Sequence, residues 1–169
     1  MSIIKVNEIQ NVAGTQNKGV LQVVSTCKTS QFTTTSTSYV DITGLNVAIT
    51  PRSTSSKVLV VVGVGCMGNS ASGYQTFVVL ERAISGGATT EIAKSTDAAS
   101  IASSAMWLDN NTYSTGAASI NFLDSPSTTS AITYTLQCKG GGNTAAINRR
   151  GDTADDGTVS TITVMEIQG

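Results

Sequence analysis

Five side chains in the middle of the sequence have the chemistry to bind a ligand: Trp107, Asp109, Asn110, Asn111 and Tyr113. Aromatic rings can stack on the face of a sugar, and amide and carboxylate groups can hydrogen-bond its hydroxyls. This grouping in one short segment predicts contact with a glycan or another surface ligand. The alternative is that Trp107 and Tyr113 pack beneath a loop or at a subunit contact, where aromatic residues are also frequent.

The composition argues against catalysis. The chain of 169 residues contains no His, and only 12% of its residues are charged. His is the side chain most often used as a general acid or base near neutral pH. A glycosidase needs two carboxylates about 5 to 9 Å apart, and no sequence spacing singles out such a pair, so we expect no enzyme activity. The carboxylates concerned are Glu81, Glu91, Asp97, Asp109 and Asp124.

Neither a metal site nor a cofactor site is expected. Asp152, Asp155 and Asp156 are followed by Gly157, but they lack the D-x-D-x-D-G spacing of a calcium-binding loop, so a solvated turn is favoured. The glycines at 140–142 lack the Lys-Ser/Thr ending of a phosphate-binding loop.

The cysteines are also expected to be structural. Cys27, Cys66 and Cys138 are odd in number, show no C-x-x-C spacing and have no His to complete a zinc site. Each lies in an apolar run, and we therefore expect three buried free thiols.

The net charge of −1 predicts no nucleic-acid partner and no binding to an anionic membrane, because both need a basic surface. The N-terminus lacks the apolar core of a signal peptide, and no apolar run approaches the 18 or so residues of a membrane span. We expect a chain that is made in a cytoplasm and does not insert into a membrane.

The pattern of short apolar runs predicts an all-β fold. Hydrophobic residues make up 40% of the chain, Thr and Ser together about a quarter, and there are sixteen Gly but only two Pro. Runs rich in Val, Ile and Thr are separated by Gly, Ser, Asn and Asp, as expected for strands and turns. We predict an antiparallel jelly-roll sandwich of roughly eight to ten strands.

Several elements are predicted in more detail. A hairpin is expected from 75–82 and 89–94, with its turn at Ser85-Gly86-Gly87. Residues 132–139 alternate, with Ile132, Tyr134, Leu136 and Cys138 facing inward. The Ala/Ser-rich segment from Ser95 to Met106 is expected to be a long loop.

Residues 57–67 are apolar on both faces of the predicted strand. One face carries Val58, Val60, Val62, Val64 and Cys66, and the other carries Leu59, Val61, Gly63, Gly65 and Met67. A strand with two apolar faces needs a neighbour over its outer face, and that neighbour could be another subunit.

Residues 1–18 are predicted to be an N-terminal attachment arm, and residues 19–169 the jelly-roll head. The arm carries Ile3, Ile4, Val6 and Ile9 before a turn-rich stretch. It is too short to hold a core, so these four side chains are expected to dock on another protein.

Five segments carry a family resemblance: Ile4–Gln10, Thr50–Val60, Phe122–Pro126, Ile147–Arg149 and Ser160–Ile167. Together they resemble small tail-fibre and virion structural proteins of tailed phages, especially those of aquatic bacteria. The resemblance implies a virion surface protein whose head is similar to the C1q and tumour-necrosis-factor heads and assembles as a homotrimer. It implies partners among the chain's own copies and other virion proteins. Candidate interface residues are Arg149, Arg150, Thr161, Thr163, Met165 and Ile167.

Two roles stay open under this resemblance. A tail-fibre adhesion module, attached by its arm and contacting the host, predicts that the loops at 68–73 and 95–116 gather at the end away from the arm. A capsid decoration protein, which cements the head shell, predicts that the arm and nearby loops lie along the shell. A free extracellular lectin is a weaker third alternative, because no secretion signal is visible.

Overall fold

The computed structural model describes residues 19–169. The predicted arm, with Ile3, Ile4, Val6 and Ile9, lies outside these described residues. Within them the chain forms eleven strands and no helix. The strands are β1 (Val20–Lys28), β2 (Phe32–Thr34), β3 (Val40–Ile49), β4 (Lys57–Asn69), β5 (Gln75–Ile84), β6 (Thr89–Ile92), β7 (Ala105–Leu108), β8 (Gly116–Asp124), β9 (Ile132–Gly140), β10 (Ala145–Ile147) and β11 (Ser160–Ile167).

The strands form two antiparallel sheets with jelly-roll connections. In sheet I, β1 pairs with β11, β11 with β4, and β4 with β8. Near the C-terminal end of β4, β10 takes the place of β11 beside β4, and β2 pairs with β10. Sheet II has the order β3-β9-β5, with both β6 and β7 on the free edge of β5. The first strand thus pairs with the last, β3 with β9, β4 with β8, and β5 with β6 and β7. This is the pattern of one long hairpin rolled into a sandwich, and the predicted all-β jelly roll is confirmed.

The core lies between the sheets and follows from strand alternation. Ile132, Tyr134, Leu136 and Cys138 of β9 are fully buried, as predicted. The even positions of β4 and β11, such as Val60 and Val164, face them from sheet I. Successive side chains of a strand point to opposite faces, so one set of positions fills the core and the other forms the outer face of each sheet.

Glycine conformation explains two local features of the strands. The hairpin of β5 and β6 is confirmed, and its turn places Gly86 at φ +72°. Gly44 shifts the register of β3 against β9, with φ +81°. Only glycine adopts this backbone conformation without steric cost, so inward residues before and after Gly44 stay in phase with the core.

Three expectations about burial and elements were wrong. Cys27 is exposed, because it occupies an outward position near the end of edge strand β1; Cys66 and Cys138 are buried free thiols as predicted. Met67 lies in the core and not on the outer face of β4, because the register of β4 against β8 shifts between Val64 and Met67. The predicted loop from Ser95 to Met106 includes the start of β7, which pairs with β5.

The sandwich has two distinct ends. At the lower end, the backbone N–H of Gln168 donates to the carbonyl of Gly19, the first described residue, 3.0 Å away. The neighbouring Ile167 pairs with Lys57, where β4 begins. Strand β4 ends at Asn69 among loops at the opposite, upper end, which we call the loop end.

The lower end is fixed by a buried carboxylate. Glu166 accepts hydrogen bonds from the Arg52 backbone amide and the Gln22 side chain, each at 2.7 Å. Burial acts to raise the pKa of Glu166, but these hydrogen bonds together with the nearby Arg52 charge hold it below its usual value. The charged form of Glu166 therefore ties β11 to β1 and to the turn after β3.

Candidate functional site: the loop end

Four connections gather at the loop end. They join β4 to β5 (70–74), β7 to β8 (109–115), β9 to β10 (141–144) and β10 to β11 (148–159). The Ser72 hydroxyl donates to the Asn110 carbonyl at 2.7 Å, and the Ser70 amide donates to the Thr144 carbonyl at 2.9 Å. The loop at 109–115, which carries most of the predicted ligand-binding residues, is therefore held against the loop at 70–74, at the end of the sandwich opposite to Gly19.

Asp109 is the interior anchor of the loop end. Its side chain is fully buried, and its carboxylate accepts hydrogen bonds from the Asn69 backbone amide and the Trp107 indole N–H. Its backbone also bonds the β4–β5 loop, with Gly73 donating to its carbonyl and its own amide donating to Tyr74. Burial raises the pKa of Asp109, and the two hydrogen bonds to its carboxylate oppose this. Asp109 thus orders the loops but offers no free carboxylate oxygen to a ligand.

Trp107 is also committed to packing. Its indole ring lies against Gly116 at the start of β8, where an added Cβ would stand 2.0 Å from the ring. Its N–H donates to Asp109 at 3.2 Å. The ring packs against the core between the edge strands β7 and β8 of the two sheets.

The exposed part of the predicted cluster is Tyr113 with Asn110 and Asn111. Tyr113 is 69% exposed, and the Arg150 guanidinium lies 5.3 Å from the centre of its ring. Asn111 uses its side-chain oxygen to accept the Tyr113 backbone amide at 2.9 Å, which fixes the turn. Tyr113 is thus presented at the surface by a turn that its own neighbours stabilise.

Arg150 carries no uncompensated charge at this surface. It donates to both carboxylate oxygens of Asp152 at 3.0 Å and pairs with Asp156 at 3.1 Å. These contacts raise the pKa of Arg150 and lower that of Asp152 through their mutual hydrogen bond. A ligand meeting Tyr113 therefore encounters an aromatic ring, amides and an arginine whose charge is already paired.

Asn148, at the start of the long β10–β11 connection, fixes this segment by hydrogen bonds to neighbouring parts of the chain. This fully buried residue has φ +62°, a conformation that Asn tolerates better than most residues. Its side-chain amide donates to the Lys28 and Ser30 carbonyls, and its side-chain oxygen accepts the Ser160 hydroxyl at 2.6 Å. Asn148 therefore links the end of β1 to the start of β11 and positions Arg150.

The structure separates the residues predicted for a subunit interface. Arg150 belongs to the loop end, and Arg149 donates to the Arg150 carbonyl beside it. The other four lie on the outer face of sheet I, where they alternate with buried residues of β11. They are Thr161, Thr163, Met165 and Ile167.

The carboxylates considered for catalysis are engaged within the fold. Asp124 is buried against Arg82 and the Tyr134 hydroxyl, with each contact at 2.7 Å. Burial, followed by the bond to Asp124, raises the pKa of Tyr134. Glu81 accepts a hydrogen bond from Gln137, which also donates to Asp41, and burial raises the pKa of Glu81. Glu91 pairs with Lys94 and Asp97 accepts from Thr96.

Residues 19–169 contain no group of three or more side chains arranged to hold a metal ion. Asp152 and Asp156 pair with Arg150 instead, and Asp155 accepts a bond from Thr153. In the same described part of the chain, no helix is long and apolar enough to cross a membrane.

Sequence reasoning missed two contributors to the loop end. Asn69 donates its backbone amide to Asp109 and its side-chain amide to the Gly142 carbonyl at 3.0 Å. Tyr74 is 40% exposed and its ring lies over Gly142. Asn69 lies within the predicted loop at 68–73 and Tyr74 directly follows it, but their partners lie on connections distant in sequence, so no local pattern could have assigned them.

No protein-family model and no curated protein matches the chain. Among solved structures it is similar to a chain of the T13 particle of infectious bursal disease virus, with a TM-score of 0.47, 13% identity and coverage of 97% of this chain and 41% of the viral one. For the VP2 subviral particle of that virus the values are 0.45, 13%, 97% and 43%, and for the Gx strain they are 0.44, 14%, 90% and 40%. The chain spans less than half the length of these viral chains. At such identities a likeness concerns strand arrangement and does not transfer a function.

Proposed function

We propose that this chain is a structural protein of a virion surface, acting as a homotrimeric tail-fibre or surface adhesion module. In this proposal it is made in the host cytoplasm, and residues 1–18 attach it to the particle through Ile3, Ile4, Val6 and Ile9. The proposal rests on no catalytic, metal or cofactor chemistry.

The supporting observation is the polarity of the sandwich. Gly19, to which the arm would connect, is bonded to Gln168 at the lower end, and the loops at 70–74 and 109–115 gather at the upper end. An adhesion module needs this arrangement, because attachment at one end leaves the opposite end free to meet another surface. The jelly roll is compatible with this role, since it is an architecture of viral capsid and lectin domains.

The ligand proposed for the loop end is a neutral glycan. Tyr113 supplies an exposed ring for stacking, and Asn110 and Asn111 supply amides. Arg150, the cation beside Tyr113, is already paired with Asp152 and Asp156 and is therefore not free to bind an acidic sugar. Trp107 and Asp109 support the site from within.

The glycan proposal is tested by screening the full chain on an array of neutral and acidic host-surface glycans. Tyr113→Ala is expected to abolish binding to a neutral glycan, and Leu108→Ala on the neighbouring strand serves as the matched control. Binding to acidic glycans only, or binding that both variants leave unchanged, would contradict it. The number of copies is measured separately as the native mass, which for a trimer is three times 17.3 kDa.

The position on the virion is tested by electron microscopy of particles carrying an antibody-labelled chain. Label confined to the tail supports the adhesion module. Label spread over the head favours the alternative role, a decoration protein that cements the capsid, and the loss of DNA from particles lacking the chain on heating would then be measured. Absence of label from both places would overturn the virion assignment.

A further inference from the structure

The outer face of sheet I carries an apolar row across all four strands. Val23 of β1 pairs with Met165 of β11, Met165 pairs with Leu59 of β4, and Leu59 pairs with Leu123 of β8. All four point away from the core, and Val23 and Leu123 are 56% and 50% exposed. We call these four residues the transverse row.

The rest of this face is small or uncharged. The row above the transverse row consists of Ser25, Thr163, Val61 and Asn121, and the next consists of Cys27, Thr161, Gly63 and Ser119. The one charged side chain among the outward positions of these strands is Lys57, where β4 begins. A partner for this face therefore needs no complementary charge.

Both edges of sheet I also lack an outward charge. Edge strand β1 has one charged residue, Lys28, which is buried and bonded to Ser30. Edge strand β8 has only Asp124, which is buried against Arg82. Proteins usually guard such edges with short strands or outward charges against pairing with other chains, and these nine-residue strands have neither.

We propose that a second copy of this chain covers the outer face of sheet I, with the transverse row at the centre of the contact. A copy is the occupant that fits, because its face and edges carry no outward charge apart from Lys57 at the start of β4, so no unpaired charge is buried around the transverse row on either side. The inference deepens the self-association in the proposed function by naming its surface.

The size of the face agrees with such a contact. Four strands about 4.8 Å apart and nine residues rising about 3.3 Å each give a face of roughly 19 by 30 Å. Protruding side chains make its accessible area larger than this projection. A stable interface buries on the order of 800 Å² from each partner, so the face is large enough to form most of one.

The test compares two exposed leucines in the full-length chain. Leu123→Lys places an ammonium in the transverse row, and Leu108→Lys places one on β7 of sheet II, where Leu108 is 41% exposed. Sedimentation equilibrium of the unmodified chain should give a multiple of 17.3 kDa. Leu123→Lys should raise the dissociation constant about tenfold or more, because a desolvated ammonium would lack a partner, and Leu108→Lys should leave it unchanged. Circular dichroism and the fluorescence of the single Trp, Trp107, verify that both variants fold.

Three outcomes would overturn the inference. The unmodified chain could stay monomeric at high concentration, or the two variants could have equal effects on the dissociation constant. Association could also be lost when residues 1–18 are deleted but retained in Leu123→Lys. If the chain forms a dimer, the proposed contact face would stand and only the proposed number of copies, three, would be contradicted. A monomeric chain that still labels virions would refute this surface and not the virion location, so the two proposals fail separately.

Discussion

The two sheets of the sandwich differ in how far the chain itself covers their outer faces. On sheet II, the side chain of Val79 points outward and is nevertheless completely buried. Segment 93–104 lies over this face: the Ser104 hydroxyl accepts the Leu80 amide at 3.0 Å, and the Tyr39 hydroxyl donates to the Ala102 carbonyl at 2.8 Å. The chain therefore covers this sheet with its own loop.

Charged and aromatic side chains complete the cover on sheet II. The Lys139 ammonium lies 4.7 Å from the centre of the Tyr39 ring and 5.6 Å from that of Phe77. Asp41 and Glu81 share the Gln137 amide on the same face. On sheet I, the described segment 149–151 covers only the end of β4 around Cys66 and Gly68, and the transverse row is left partly in solvent. The outer face of sheet II is therefore covered within one subunit, whereas sheet I has the surface expected of a chain that associates.

The largest expected effect comes from placing a charge on each outer face. Val79→Asp should lower the free energy of unfolding by about 3 to 5 kcal/mol, because the carboxylate would be buried without a partner. Val23→Asp should change it by less than about 0.5 kcal/mol in the dissociated subunit, because that side chain is in solvent. Urea unfolding of both variants at low concentration measures the contrast, and equal costs would show that segment 93–104 does not cover Val79.

A moderate effect is expected where Trp107 joins the edges of the two sheets. Gly116→Ala should cost about 1 to 3 kcal/mol, because the new methyl group would overlap the indole ring. The displaced ring should also shift the emission of the single Trp. Gly157→Ala is the matched control, since nothing lies within 4 Å of its added Cβ. Unchanged stability and emission in Gly116→Ala would argue against this packing.

A smaller effect is expected from the hydrogen bond that fixes segment 93–104. Tyr39→Phe removes the bond to Ala102 and should cost about 0.5 to 1.5 kcal/mol. Amide hydrogen exchange should speed up in 93–104 and stay unchanged in β11, which serves as the internal control. Faster exchange in both regions would indicate global destabilisation.

The same tyrosine predicts a pH dependence. Burial, and secondarily the charge of Glu91, raises the pKa of Tyr39 to about 12. Since its unfolded pKa is about 10, its contribution is fully present below pH 10 and is lost as the pH rises to 12. The difference in unfolding free energy between the unmodified chain and Tyr39→Phe should therefore narrow over this range. A constant difference would contradict the burial of the hydroxyl.

The smallest expected effect concerns the rate at which a maleimide labels Cys27, which lies on the outer face of sheet I. A maleimide should label one thiol per folded subunit, because Cys66 and Cys138 are buried and burial raises the pKa of both, that of Cys138 to about 12. Dilution to the dissociated subunit should speed labelling of Cys27, and Leu123→Lys should label rapidly at every concentration. A rate independent of concentration in the unmodified chain would place Cys27 outside any contact.

The fold class was largely predictable because it depends on local chemistry. Alternation placed Ile132, Tyr134, Leu136 and Cys138 inward, and Gly86 marked a hairpin turn. The loop end was predicted only in part. The sequence grouped Trp107 with Tyr113, but the two have different roles, since one ring packs on Gly116 and the other is in solvent.

Most of the strands and the inward positions of the regular ones could be predicted from the sequence, because both follow from side-chain type at a spacing of two residues. Three features depend on the three-dimensional arrangement of the strands: Asp109 is buried against Asn69, Met67 turns into the core at a register shift, and Cys27 is exposed at an edge. Those outcomes depend on pairing between strands distant in the chain, and a local pattern does not specify which strand lies at an edge or which outer face a loop will cover.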